Sequence, residues 1–295
     1  MTRCIRVTTF LAICLIFSNW SQAQGKSFEV LTPEVKQGGT LVLKIDNSFL
    51  GGLPAVEVFD KVYWPNEDGL VFVGIDAVNV KPGKYMVSLF SLFVSPYQNE
   101  FIVLDGNFIE RPWPFGPRSA TVDETKNRKK EREIIEEALN SEPNGLDRHI
   151  DSKFATPLER IEVVEDFGVK RMSRGVVVER HGGVDLKTND PHNLHDQKPK
   201  PVTSINSGKV VLAKRFSLEG NMVIICHGQG VYSLYLHLSQ FKIKMNQEVQ
   251  RGQVIGLSGR TGIMVTGPHL DFRVKIKGTN VNPLDFIETA NKYLG

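Results

Sequence analysis

The sequence predicts a mainly β protein, and two observations support this class. Runs rich in branched residues, at 41–45, 71–75 and 222–226, have the composition of strands. Glycine and proline turn signals separate such runs at short intervals. The 295 residues are 41% hydrophobic and 23% charged, which excludes a largely disordered, collagen-like or polytopic membrane protein. The net charge of +3 is too small to indicate a nucleic-acid partner.

Residues 1–23 are predicted to be a cleaved signal peptide. Arg3 and Arg6 precede an apolar run at 7–17, and residues 21–23 form a small-x-small cleavage site. An uncleaved membrane anchor is the alternative, but the run is short for a bilayer span. We therefore expect an exported protein of the periplasm or cell envelope, or a secreted one, with no stable membrane span after cleavage. Its one remaining cysteine, Cys226, lies in an apolar run and is expected to be a buried thiol.

The rest of the chain divides into three predicted segments. Residues 24–105 combine short strands with turn signals, which favours a β-sandwich-like accessory domain for binding or spacing. Residues 106–154 are a linker region, in which residues 106–120 carry three prolines and are followed by a charged, mostly solvated helix that ends near Asn140. A nucleic-acid-binding arm is disfavoured there, because acidic residues are interleaved with the basic ones. Residues 155–295 form a second, antiparallel β-rich domain.

Three short segments of this second domain concentrate histidine and aspartate. The first places His181 four residues before Asp185 with two glycines between them, so both side chains can reach one point. The second contains His237, which strand alternation places on the same face as Tyr235. The third is Gly-Pro-His-Leu-Asp at 267–271, whose histidine and aspartate share a strand face. Imidazole and carboxylate are both zinc ligands. Taken singly, each could be a loop histidine, a core histidine or a structural ion pair.

Taken in this order, the three motifs resemble the lysostaphin/LytM-type zinc metallopeptidases, a family of peptidoglycan endopeptidases. Residues 249–256, 259–262, 266–269 and 282–285 resemble the hairpin, the glycine-rich approach and the closing segment of that family. The resemblance covers about 165–288. It implies an antiparallel β-rich peptidase domain that binds one Zn²⁺ per chain and cleaves peptide bonds in peptidoglycan.

The resemblance also assigns roles to individual residues. His181 and Asp185 match the first two zinc ligands. His237 and His269 match the catalytic histidines that orient water and stabilise the oxyanion. The third ligand of the family is the second histidine of a His-x-His pair, and this chain has Asp271 there. Zinc accepts carboxylate oxygen, but two carboxylates make a harder, more anionic ligand set.

This substitution leaves two hypotheses about function. One is an active zinc endopeptidase of the cell wall. The other is a catalytically impaired LytM-type domain that binds cell wall or activates a partner amidase. Four of the five site residues are retained, including both non-ligand histidines, which favours the enzyme. A secreted structural protein without a site would not explain three ordered motifs.

Four further histidines need an interpretation. His192 and His195 lie in a long loop at 187–201 after Asp185 and could supply a replacement imidazole ligand, although a solvated loop at the rim of the site is favoured. His149 and His227 match no position of the motifs, and no site role is predicted for them.

Overall fold

A computed structural model of the chain describes residues 28–46, 54–91, 94–113, 122–141, 150, 152–188, 198–263, 265 and 267–295. Within these ranges the chain forms 22 strands and two helices, which confirms the mainly β class. Neither of these two helices is long and apolar enough to cross a membrane. The predicted signal peptide, His149, His192 and His195 lie outside the described residues.

The first eight strands form two sheets that share one apolar core. They are β1 (Phe28–Val30), β2 (Glu34–Lys36), β3 (Thr40–Ile45), β4 (Ala55–Val58), β5 (Lys61–Tyr63), β6 (Leu70–Gly74), β7 (Gly83–Ser91) and β8 (Val94–Leu104). One sheet has the order β1-β3-β6, and the other has the order β2-β8-β7-β4-β5. Buried side chains of both sheets, such as Val42 and Phe101, belong to the same core. Two sheets packed over one core form a sandwich.

The segment between the two domains contributes one strand and one helix. Strand β9 (Glu110–Pro112) adds to a small sheet of the second domain by parallel pairing. Helix α1 (Val122–Asn140) is highly charged, but it is not wholly solvated. Ile134, Ile135, Ala138 and Leu139 pack on an apolar cluster of the second domain that also contains the buried Cys226. The linker is therefore attached to the domain that follows it.

The second domain is built on one large, mostly antiparallel sheet. Its elements are β10 (Val163–Glu165), β11 (Lys170–Ser173), β12 (Val176–Arg180), β13 (Val184–Lys187), β14 (Pro201–Thr203), β15 (Gly208–Phe216), β16 (Gly220–Cys226), β17 (Val231–Leu238), β18 (Gln240–Phe241), β19 (Glu248–Val249), β20 (Val254–Leu257), β21 (His269–Ile276), β22 (Thr279–Val281) and α2 (Pro283–Tyr293). The large sheet has the order β10-β13-β21-β17-β16-β15-β19, and β22 pairs with β21. Two three-stranded sheets, β12-β11-β9 and β14-β20-β18, flank it.

The accessory domain packs directly on the second domain. Phe72 of β6 contacts Phe286 of α2 with ring centroids 6.0 Å apart, and Asn282 N–H donates to the Gly38 carbonyl at 2.7 Å. Both domains contribute to one continuous core. This explains why β3 and β6 are buried along nearly their whole length, since each has the sandwich core on one face and the second domain on the other.

The two faces of β21 lie in different environments. Leu270, Phe272 and Val274 are buried in the core that the two domains share. His269 and Asp271 alternate with them and therefore project from the opposite face. Helix α1 lies on that same face of the large sheet, over β15 and β16. The polar residues of β13 and β21 thus lie on the face of the sheet that also carries the helix.

Candidate metal centre

Three strands bring the predicted site residues together. Strands β13 and β21 are antiparallel neighbours, and their register places Asp185 directly opposite Asp271. Strand β17 lies on the other side of β21 and carries His237 near its end. His181 precedes β13 in the turn that follows β12. The local sequence therefore supplies the residues, and strand pairing brings them to one place.

His181 is oriented as a ligand imidazole. The side chain is 2% exposed, and its Nδ1–H donates to the Asp166 carbonyl oxygen at 3.1 Å. Its Nε2 faces the two carboxylates, 3.2 Å from Asp185 Oδ1 and 3.8 Å from Asp271 Oδ1. A backbone acceptor on one ring nitrogen fixes the other for a metal, as is usual for metal-ligating histidines. Burial by itself would lower the pKa of His181, but the two carboxylates outweigh burial and raise this pKa to about 10.

Asp185 has an unsatisfied oxygen at the centre of the cluster. Its Oδ1 is buried and, while His181 is neutral, accepts no hydrogen bond among the described residues; His181 Nε2 and His269 Nε2 lie 3.2 and 3.7 Å away. A buried carboxylate oxygen without a partner is costly, and either a proton on His181 Nε2 or a metal cation between these atoms would satisfy it. Zinc bonds of about 2.0–2.1 Å separate tetrahedral ligands by about 3.3 Å. The spacing and chemistry of these donors therefore fit a zinc ion.

Asp271, the predicted third ligand, has a second partner that the sequence analysis missed. Arg273 lies two residues further along the same face of β21, and its Nε donates to Asp271 Oδ1 at 2.9 Å. The Asp271 side chain is only 5% exposed. Burial by itself would raise the pKa of Asp271, but Arg273 and His181 hold this pKa well below its usual range. Asp271 is therefore an ionised carboxylate that both His181 and a guanidinium contact.

The two predicted catalytic histidines face each other. The ring centroids of His237 and His269 are 4.9 Å apart. Each ring donates its Nδ1–H to a backbone carbonyl, that of Thr261 at 2.8 Å and that of Gly267 at 2.9 Å. Each Nε2 is therefore available in the neutral tautomer. Burial lowers the pKa of His237, although the Asp271 charge opposes this, so the ring is neutral at pH 7.

The expectation that Tyr235 and His237 share a strand face is wrong. Tyr235 packs against Phe272 on the core side of the sheet, with ring centroids 5.5 Å apart, whereas His237 contacts His269 on the opposite side. The reason is an irregularity in the pairing of β16 with β17, where two residues of β17 stand against one of β16. His237 has a φ of 62°, which is uncommon for a residue other than glycine. This bulge turns its side chain towards the site.

Glu165 is a further carboxylate that the sequence analysis missed. Ligand atoms of Glu165, His181 and Asp185 all lie within 4.8 Å of one another. Glu165 is also ion-paired with Arg171, and it lies 4.0 Å from His181 Nδ1, the nitrogen that is bonded to Asp166. Glu165 is therefore better placed to interact with the His181 ring than to act as a third metal ligand.

His227 has no free ring nitrogen for a metal. It is fully buried, its Nδ1–H donates to the Ser207 carbonyl at 2.7 Å, and its Nε2 accepts from Ser233 Oγ at 2.7 Å. This matches the absence of a predicted site role.

A buried cluster of imidazoles and carboxylates on the face of an antiparallel sheet is typical of a hydrolytic metal site. Comparisons with known proteins identify its family. Residues 179–283 match the sequence profile described as Peptidase family M23. The chain thus contains an M23 peptidase domain of the LytM type, which confirms the family that the motifs predicted.

Curated relatives match this same part of the chain. Peptidoglycan DD-endopeptidase ShyA of Vibrio cholerae is 45% identical over 97 residues, which are 32% of this chain and 22% of the relative. DD-carboxypeptidase/endopeptidase Mpg of Neisseria meningitidis is 42% identical over 84 residues, which are 28% of this chain and 19% of the relative. The match therefore spans about a fifth of the length of these relatives.

One solved structure matches most of the chain. It is described as a putative peptidase M23 from Pseudomonas aeruginosa and has a TM-score of 0.57 and 23% identity. The match covers 85% of this chain and 94% of that one. At this identity it supports the two-domain fold and nothing more specific.

Proposed function

We propose that the chain is an exported, zinc-dependent endopeptidase that hydrolyses peptide bonds in peptidoglycan. The observation that carries this proposal is the convergence of the buried Oδ1 of Asp185 with the Nε2 atoms of His181 and His269 at 3.2 and 3.7 Å. The M23 family supplies the reaction class. The relative ShyA is described as a peptidoglycan DD-endopeptidase, which supplies the substrate class, and hydrolysis of a wall polymer requires a location outside the cytoplasmic membrane.

His181, Asp185 and Asp271 would hold the zinc ion. Zinc held there would supply a Lewis acid for the scissile carbonyl and would lower the pKa of the attacking water. His237 is neutral and buried, so its Nε2 can accept a proton from that water. His269 Nε2 lies 3.7 Å from Asp185 Oδ1, where it can accept a hydrogen bond from the attacking water and pass a proton taken from it to the leaving amine.

One observation favours a second function, an impaired domain that binds cell wall or activates a partner amidase. Arg273 engages both oxygens of Asp271 and so competes with a metal for the third ligand. In that case the chain would bind peptidoglycan and leave its peptides intact.

Digestion of purified peptidoglycan distinguishes the two functions. We expect the wild-type chain with zinc to release muropeptides whose masses identify the cleaved bond. Asp185→Asn removes the unpartnered carboxylate charge and should abolish release. The matched control is Asp68→Asn, an exposed carboxylate in the accessory domain, which should cleave as the wild type does. Wild-type protein that sediments with peptidoglycan and releases no peptide would overturn the enzyme in favour of the binding domain.

A further inference from the structure

We propose that Arg273 belongs to the metal site and sets its charge. The Asp271–Arg273 pair has a net charge of zero, and in this respect it replaces one neutral imidazole ligand. The inference rests on the proposed function in one respect, namely that the site holds a divalent cation.

The contacts of Arg273 are those of a fixed partner. Its Nε lies 2.9 Å from Asp271 Oδ1 and 3.2 Å from Oδ2, and its Nη2 also donates to Oδ2. This arrangement clamps the plane of the carboxylate. The Arg273 side chain is 28% exposed, so it lies at the edge of the site and covers Asp271.

The loop of the first motif is shaped around this pair. A Cβ atom at Gly183 would lie 2.4 Å from Arg273 Cγ and 3.0 Å from Asp271 Oδ1. At Gly182 a Cβ would lie 3.6 Å from Arg273 Nη1. The glycines between His181 and Asp185 thus allow the backbone to approach the ion pair closely. The turn between His181 and Asp185, the two proposed ligands of the first motif, therefore lies against the arginine as well.

The charges of the site explain why the arginine is needed. Asp185 and Asp271 stand directly opposite each other on neighbouring strands, an arrangement that is unfavourable for like charges. With His181 neutral, the two carboxylates and the guanidinium together carry one negative charge. One carboxylate with two neutral imidazoles carries the same charge. Arg273 therefore offsets the extra carboxylate that Asp271 introduces.

This balance predicts how zinc affinity responds to Arg273. In the zinc-bound state Asp271 is a ligand and stays ionised, so removing the guanidinium makes the site more negative by one charge. A divalent ion several ångströms away should then bind at least about tenfold more tightly, even at a high effective dielectric constant. A guanidinium that only held Asp271 in place for the metal would give the opposite result, since its loss would weaken zinc binding.

The test is the zinc dissociation constant of the full chain, measured by competition with a chromogenic chelator after the metal is stripped. We expect Arg273→Gln to bind zinc at least about tenfold more tightly than the wild type, and Arg273→Lys, which keeps the charge, to stay within about threefold. The control is Arg215→Gln, the same change at an exposed position of β15, which should leave the constant unchanged. Equal or weaker binding by Arg273→Gln would overturn the proposal.

A second comparison covers the case in which Arg273→Gln does not fold. The double variant Asp271→Asn/Arg273→Gln should bind zinc at least about tenfold more tightly than Asp271→Asn alone, because only the single variant keeps the uncompensated arginine. The reverse order would contradict the inference.

The outcomes separate this inference from the proposed function. If the affinities follow the expected order and peptidoglycan is not cut, the charge assignment stands and the enzymatic activity fails. If peptidoglycan is cut and Arg273→Gln weakens zinc binding, the activity stands and the charge assignment fails. If no variant binds zinc, both fail.

Discussion

Zinc affinity should depend steeply on pH, because zinc must displace a proton from His181. The carboxylates of Asp185 and Asp271 raise the pKa of this ring to about 10 when no metal is bound. At pH 7 the ring is then mostly protonated, and the neutral imidazole that a metal requires is the minor form. Deprotonation of His181 therefore opposes zinc binding at pH 7, and it opposes zinc binding less at pH 9. The expected slope is about tenfold in affinity per pH unit.

Two measurements test this competition. The first is the zinc dissociation constant at pH 7, 8 and 9, by competition with a chelator whose own protonation is accounted for. The second is titration calorimetry at pH 7 in two buffers with different ionisation enthalpies, which should show about one proton released per zinc bound. The Asp68→Asn chain should give the same slope as the wild type. An affinity that is flat from pH 7 to pH 9, or binding without proton release, would refute the assignment of His181 as a protonated ring in the metal-free protein.

Three further outcomes follow from the same contacts. The metal-free chain should lose stability as pH rises towards 10. The raised pKa of His181 stabilises the folded state fully below pH 6.5, and this contribution is lost as the ring deprotonates. Urea unfolding should therefore give a lower free energy of unfolding at pH 9.5 than at pH 7. His237→Ala should keep zinc at one per chain and lower the rate of peptide release by about 100-fold or more, since it removes a proton acceptor and no ligand; an unchanged rate would contradict that role. Gly183→Ala should destabilise the fold by about 1–3 kcal/mol in thermal unfolding, because its Cβ would lie 2.4 Å from the Phe272 carbonyl oxygen; an unchanged melting temperature would show that the turn relaxes freely.

The sequence was sufficient to predict the β class, and the residues that it proposes for the site lie close together in the structure. Both are local signals, since branched runs indicate strands and the spacing of His181 and Asp185 indicates a turn that can bring two ligands together. The pairing of β13 with β21 could not be deduced from those patterns. It places Asp185 opposite Asp271 and so creates the juxtaposed carboxylates that define this site.

Features that depend on pairing between distant strands were missed. The bulge at His237 exists only in relation to β16, so strand alternation put Tyr235 on the wrong face. Glu165 reaches Asp185 through the pairing of β10 with β13. Arg273 had a readable signal, because His269, Asp271 and Arg273 alternate along one strand. Its role as a partner of Asp271 became clear only when the burial of that carboxylate was known.

The sequence also contains a signal for the packing of the N-terminal sandwich on the second domain. The runs in β3 and β6 are almost continuously apolar rather than alternating, which indicates burial on both faces. The sequence does not indicate which element covers the second face, because this depends on tertiary structure. In the structure, α2 contacts β3, and β21 and β22 contact β6.

The central claim is that His181, Asp185 and Asp271 form a zinc site that cuts peptidoglycan peptides. The most direct test is to add zinc stepwise to the metal-stripped chain and to measure bound zinc and released muropeptides in the same samples. We expect release to rise in proportion to bound zinc, to reach its maximum at one zinc per chain, and to be absent from Asp185→Asn. A chain that cuts equally well without metal, or that binds one zinc and releases no peptide, would contradict this account.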